Sequence, residues 1–231
     1  MTTGVDYTQY VQQIANLAIV PVSDPNYQIL LPQMITYAEN RIYRDLDLLS
    51  TVQPYNQAAT ASGVRTVTIP QGTFVTIQNV NVLTNTSTRN PLLPVTKEFL
   101  DATWGSPTSA AQPKYFALLN DTTLIFGPWP NAIYPLEIVG TIRPDSLSAT
   151  NTTTFISLYL PDLFIMASMI FISAYQRDFG RQSDDPQMAM SYEAQYNALL
   201  KGATVEEFRK KFESVGWTSM SPSPVAAPTR G

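Results

Sequence analysis

Apolar residues recur at three- and four-residue spacing along residues 25–49, where Leu31, Ile35, Ala38, Ile42, Leu46 and Leu49 fall on one helical face. The same period runs over 6–19: Tyr7, Tyr10, Val11, Ile14, Leu17 and Ala18 share a side, Asp6 stands where a cap belongs, and Pro21 closes the helix. Ser23 or Asp24 offers the cap of the second helix and Pro25 suits its first turn, while Pro32 marks a kink or the true start. These two helices are expected to pack together. Over 160–179 the pattern changes: Leu163, Phe164, Ile165, Met166, Ala167, Met169, Ile170, Phe171, Ile172 and Ala174 surround the axis, which predicts a central helix begun by Pro161-Asp162 and ended by Gly180. Its apolar core is shorter than the roughly 20 residues of a membrane span. A last helix starts at Asp184-Asp185-Pro186, carries Met190, Ala194, Tyr196, Leu199 and Leu200, and either continues or breaks at Gly202 before 205–212.

From about residue 51 the period becomes two. Val64, Thr66 and Thr68 alternate with Arg65, Val67 and Ile69, and β-branched residues continue from 74–77 to 82–83; Gly72, after Pro70-Gln71, predicts a hairpin between these runs. A short strand is expected at 92–96, a helical turn at 97–103, a second hairpin pairing 114–119 with 122–127 around Asn120-Asp121, and another strand at 134–142. Segments 53–62, 84–89 and 105–112 read as solvent-facing loops or assembly contacts, and 146–154 as a polar linker. The fold class that follows is α+β: a helical bundle frame with a β-rich insertion and an extended C-terminal tail. The frame takes 1–50 and 146–214, the insertion 51–145, and the C-terminal arm 215–231. In that arm Pro222, Pro224 and Pro228 oppose helix, and the choice lies between a free tail and an arm that docks on a neighbour through Trp217, Met220 and Val225.

Composition narrows the chemistry. Charged residues make up 14% of the 231, against roughly 25% in ordinary soluble domains, so the surface is neutral and polar, as suits a chain partly covered in an assembly. A formal charge of −4 argues against coating nucleic acid, because neutralising phosphates needs clustered Lys and Arg. There is no cysteine and no histidine, which removes thiolate nucleophiles, imidazole bases and the usual zinc, haem and iron–sulfur ligands. No catalytic, cofactor or metal residue is assigned. The start lacks the basic and apolar regions of a signal peptide, so synthesis in a cytoplasm is expected, with no membrane partner.

The charges on the second helix stand out. Arg41 precedes Asp45 by four residues, the weaker orientation of a local pair, and Glu39 has no base three or four residues on. Better partners are expected across helices or subunits. Glu39, Arg41, Arg44 and Asp45, with Trp217, Met220 and Val225, are the candidate subunit or portal interface; a solvated helix face is the plainer alternative. Arg209-Lys210-Lys211 is expected to do no more than favour a helix C-terminus.

Two stretches carry a family likeness. One is Leu31-Pro32 with Met34-Ile35, followed by Ala38-Glu39-Asn40-Arg41-Ile42-Tyr43-Arg44-Asp45-Leu46-Asp47-Leu48-Leu49. The other is Tyr134-Pro135-Leu136-Glu137-Ile138, then Ile142-Arg143-Pro144, Leu147-Ser148, Asn151-Thr152 and Tyr159-Leu160-Pro161-Asp162-Leu163. In these residues, and in the order of elements over 27–210, the chain resembles the head-to-tail adaptor (connector) proteins of short-tailed bacteriophages. The resemblance implies a structural, non-enzymatic protein of the virion neck: a twelve-subunit ring under the portal protein that continues the DNA channel and presents a docking surface to a tail or nozzle protein. In that family the helices form the ring and a C-terminal segment commonly reaches onto the portal. DNA would pass without specific binding, since an acidic lining repels phosphate.

Two other readings remain. A tail or head-closure ring without direct portal contact differs only in its neighbours. A virion-associated peptidoglycan hydrolase would need two cooperating carboxylates, with Glu39, Asp45 or Asp47 as candidates, although Glu39 and Asp45 are expected on different helix faces.

Overall fold

The structure, a computed structural model, describes residues 4–85, 88–178 and 187–215. It divides into two compact units, Met1–Leu49 with Pro144–Gly231 and, between them in sequence, Ser50–Arg143. Among the described residues the architecture is α+β, with six α-helices and two sheets.

The first unit is helical. Helix α1, Tyr7–Ala18, begins with a reciprocal cap in which the Asp6 carboxylate accepts from the Gln9 N–H at 2.8 Å and the Gln9 side chain accepts from the Asp6 N–H at 3.1 Å. Tyr10, Val11, Ile14, Ala15 and Ala18 are buried. Leu17, at the margin of that stripe, is 48% exposed instead of joining the core. Helix α2 is Pro25–Asp45, and Asp24 is its cap, accepting from the N–H groups of Asn26 and Tyr27. Pro32 lies inside the helix and does not start it. Because α2 stops at Asp45 and Leu46 turns extended (φ −120°, ψ 130°), the helical phase is lost. Leu48 is therefore buried, while Leu49, the expected end of the apolar stripe, is 41% exposed.

After a short helix α4, Phe155–Tyr159, come α5, Pro161–Asp178, and α6, Gln187–Val215. The short α4 was hidden in sequence within the approach to α5; Thr154 and Ser157 cap it reciprocally. Helix α5 is the central one: Leu163, Phe164, Ala167, Met169 and Ile172 are buried, and α1, α2, α4 and α6 all pack on it. Helices α1 and α2 meet α5 more closely than each other, and are tied directly where the Tyr27 hydroxyl donates to the Val11 carbonyl at 2.9 Å. The Tyr10 ring stacks on Phe164 with centroids 4.5 Å apart. The Ser168 hydroxyl donates to the Phe164 carbonyl at 2.7 Å, so the 2.6 Å bond between Tyr10 and Ser168 uses the tyrosine proton. Helix α6 runs through Gly202 without a break. Its expected start at Asp184-Asp185-Pro186 lies outside the described residues, as does the C-terminal arm from 216 onward.

The second unit is two four-stranded sheets with a shared core. One sheet has the order β1 (Val52–Ala59), β8 (Pro135–Thr141), β3 (Thr76–Asn85), β4 (Thr88–Pro91), all antiparallel. The other has β2 (Thr66–Thr68), β7 (Thr123–Gly127), β6 (Tyr115–Asn120), β5 (Leu93–Pro94), with β5 parallel to β6. Val80, Val82, Leu136 and Ile138 from the first pack with Val67, Phe116, Leu124 and Phe126 from the second. Helix α3, Lys97–Thr103, covers part of the second sheet, placing Leu100 on Ala117 and Ile125.

Three strand expectations need correction. The hairpin across Gly72 does not form: β2 pairs with β7 and β3 with β8, in different sheets. Segment 53–62 is not mainly loop, because β1 occupies most of it; its mixed, mostly exposed side chains and Pro54 suit a sheet edge, where alternation fades. Segment 84–89 is likewise largely strand, the end of β3 and the start of β4. The hairpin at Asn120-Asp121 forms as the spacing suggests, with the Asn120 amide oxygen accepting from the Thr122 N–H at 3.0 Å.

Candidate functional site

The charged half of α2 is where the sequence concentrated its candidates, and the structure separates them into three environments. Glu39 is on the inner side, 2% exposed. One carboxyl oxygen accepts from the Leu147 N–H at 3.0 Å, and the other is buried without a hydrogen-bond partner. Burial raises its pKa above the usual carboxylate range, opposed by hydrogen bonds from Leu147 and Ser146. Burial also raises the pKa of Tyr10 on α1 and of Tyr43 on α2, and the Glu39 charge adds to both effects.

Arg41 faces α6. Its guanidinium donates to Glu193 at 2.5 Å, lies 3.7 Å from Asp45, and sits 4.3 Å from the centre of the Tyr196 ring. The Tyr196 hydroxyl donates to Asp45 at 2.7 Å, closing a four-residue network. Burial works against the charged guanidinium, but the bond and charge of Glu193, with Tyr37, more than offset it and hold the proton more firmly. The hydrogen bond from Arg41 holds the Glu193 carboxyl below its usual range. Burial and the bond to Asp45 both raise the Tyr196 phenol.

Arg44 is exposed, and its side chain donates to the Asn40 carbonyl of its own helix at 3.0 Å. Thus Arg41, Asp45, Glu193 and Tyr196 are brought together, whereas Glu39 and Arg44 stand apart on other sides of α2. Trp217, Met220 and Val225 lie outside the described residues.

A second clamp joins the segment that follows α2 to α6. Glu207, buried at 4%, accepts from the Leu49 N–H at 3.2 Å and from Lys210 at 2.7 Å, and Lys211 pairs with Asp47. Lys210 and Lys211 therefore do more than favour a helix end. Sequence reading missed Glu193, Glu207 and the Leu147 N–H as partners. The available signal was an acid beside aromatics at Tyr192-Glu193 and Tyr196, on a helix already assigned to the bundle.

Chemically, this arrangement holds helices together. Glu39 is sealed from solvent, Asp45 is bound by Tyr196 and Arg41, and Asp47 by Lys211, so the three carboxylates do not converge on one cleft. Among the described residues no group of three or more acidic side chains is placed to hold a metal, and no helix is long and apolar enough to cross a membrane. A groove of about 480 Å³ along Ile170, Met190, Glu193, Ala194 and Asn197 carries one carboxylate, already engaged by Arg41.

The charges of this network position helices. The family model of the SU10 adaptor protein matches residues 5–221, and the chain belongs to that family. The match agrees with the likeness to phage head-to-tail adaptors carried by 31–49 and 134–163. No curated protein matches the sequence.

Proposed function

We propose that the chain is the head-to-tail adaptor of a phage virion: copies close into a ring, twelve in number, beneath the portal protein, continue the DNA channel and dock a tail or nozzle protein. The family match across 5–221 is the observation that carries this reading. The net charge of −4 supports DNA passage without adhesion. Arg44, exposed and bonded only within its own helix among the contacts seen, is the member of the α2 set we assign to a neighbouring chain. Glu39, Arg41 and Asp45 shape the helix that presents it. Trp217, Met220 and Val225 are proposed as apolar anchors of a C-terminal arm on the portal. Synthesis takes place in the host cytoplasm and the mature location is the virion neck.

The test is electron microscopy of the purified chain mixed with its portal. A ring stacked on the portal is expected, and crosslinks from the arm should map to portal residues. A ring that binds tail protein but never portal would move the assignment to a closure component further down the neck. A chain absent from virions would overturn the proposal.

A further inference from the structure

Helix α1 ends on a residue that is doubly out of place. Ile19 adopts φ 55° and ψ 42°, the left-handed conformation that glycine or asparagine takes at a helix C-terminus and that a β-branched side chain resists. It is also 82% exposed, the largest value among the exposed large apolar side chains. Isolated surface hydrophobes are ordinary, but one that also strains the backbone is not. Leu17, 48% exposed, precedes it, and Ile29, 67% exposed, follows on the second turn of α2.

The flanking sequence lacks charge. Between residues 7 and 38 the one ionic side chain is Asp24, and its carboxylate is held by the N–H groups of Asn26 and Tyr27. Exposed positions of α1 and α2 include the uncharged Gln12, Gln13, Asn16, Gln28 and Gln33 beside the three apolar residues. A partner surface without ionic groups suits this stretch, because an ionic group pressed against it would lose water and find no counter-charge within residues 7–38 beyond the capped Asp24. The chain itself carries such a surface. No ionic residue lies in 48–64, where the edge strand β1 exposes Gln53, Pro54, Asn56 and Gln57. A closed ring of identical subunits needs two different complementary faces on every copy.

We infer that the α1–α2 turn, centred on Ile19 with Leu17 and Ile29, is a docking surface for a second copy of this chain. The inference rests on the ring reading and adds to it the face through which copies meet. Docking would bury Ile19 and give its strained backbone a purpose.

Two measurements on the full chain test it. Ile19→Asn keeps a residue that tolerates the left-handed conformation while removing the apolar contact. It should raise the thermal midpoint of the unassembled chain and weaken ring formation at least tenfold by mass photometry. Because the chain has no cysteine, Ile19→Cys can be labelled at one place with a benzophenone maleimide; irradiation of the assembled ring should crosslink Ile19 to another copy. If wild-type chain forms rings and Ile19→Asn forms them equally well, the inference falls and the ring reading stands. Crosslinks from Ile19 to portal alone, or none within an assembled ring, also overturn it. A wild-type chain that stays monomeric with and without portal overturns the ring reading, and this inference with it.

Discussion

Arg41 donates to Glu193 at 2.5 Å and so fastens α2 to α6, with the Tyr196 ring beneath the guanidinium. Both partners keep some contact with water, at 20% and 40% side-chain exposure, which limits the energy of the pair. Arg41→Met should cost about 1–2 kcal/mol, combining a surface-type ion pair with a partly sheltered cation–π contact. A double-mutant cycle with Glu193→Gln, followed by urea unfolding, would isolate the pair. Since Arg41 depresses the Glu193 pKa, the folded chain binds that proton more weakly than the unfolded chain does. The coupling should be complete above the ordinary carboxylate value and disappear as pH falls through the depressed one.

Glu39 behaves in the opposite sense. Its pKa is raised by burial, so the folded chain holds the proton more tightly than the unfolded chain, and stability declines as pH rises through the elevated value. Glu39→Gln keeps an oxygen for the Leu147 N–H and cannot ionise. The variant should be more stable than wild type at pH 8 and converge with it in mild acid. The Leu147 amide resonance should follow the titration in wild type and stay constant in the variant.

Gly140 in β8 lies between β1 and β3, opposite Gln53 and Ile77. A Cβ at this position would overlap the Thr76 carbonyl oxygen and come within 2.7 Å of the Phe74 ring. The backbone oxygen belongs to the paired strand and has little room to yield. Gly140→Ala should therefore cost about 1–3 kcal/mol, seen as a lowered urea midpoint.

Arg44 makes its hydrogen bond within its own helix, so little stability depends on it. Arg44→Glu should shift the thermal midpoint by the equivalent of less than about 0.5 kcal/mol. If Arg44 faces a neighbouring chain, the same change should weaken assembly or portal binding at least tenfold, measured by sedimentation. Unchanged association would remove it from the interface.

The helices were legible because their signals are local. Asp6 with Gln9, Asp24 with Pro25, and the all-round apolar run on α5 each act within a few residues. The β6–β7 hairpin was legible for the same reason, its turn being written in Asn120-Asp121. What escaped was non-local or weakly patterned. Gly72 has a left-handed φ of 82° and does turn the chain, yet nothing near it says that β2 and β3 enter different sheets. Strand β1 escaped because an edge strand has only part of one face to bury. At the candidate site, the poor local geometry of Arg41 with Asp45 correctly signalled a remote partner, but not that it would be Glu193, 152 residues further on. Glu39 was likewise expected to have a partner beyond its own helix, but its donor, the Leu147 N–H, is a backbone group that no side-chain pattern announces.

The placement of Ser50–Arg143 between the two halves of the helical unit has a consequence for biosynthesis. Helices α1 and α2 leave the ribosome before their central support α5 has been translated. At about 5–20 residues per second the intervening stretch takes roughly 5–20 s. During that interval Tyr10, Ile14, Ile35 and Ile42, which α5 later helps to cover, have no native partner from that helix, whereas all eight strands have been made before α5 is complete. Nascent chains are thus exposed to premature association through their first two helices, and slowing elongation after residue 143 should increase aggregation more than slowing it before residue 25.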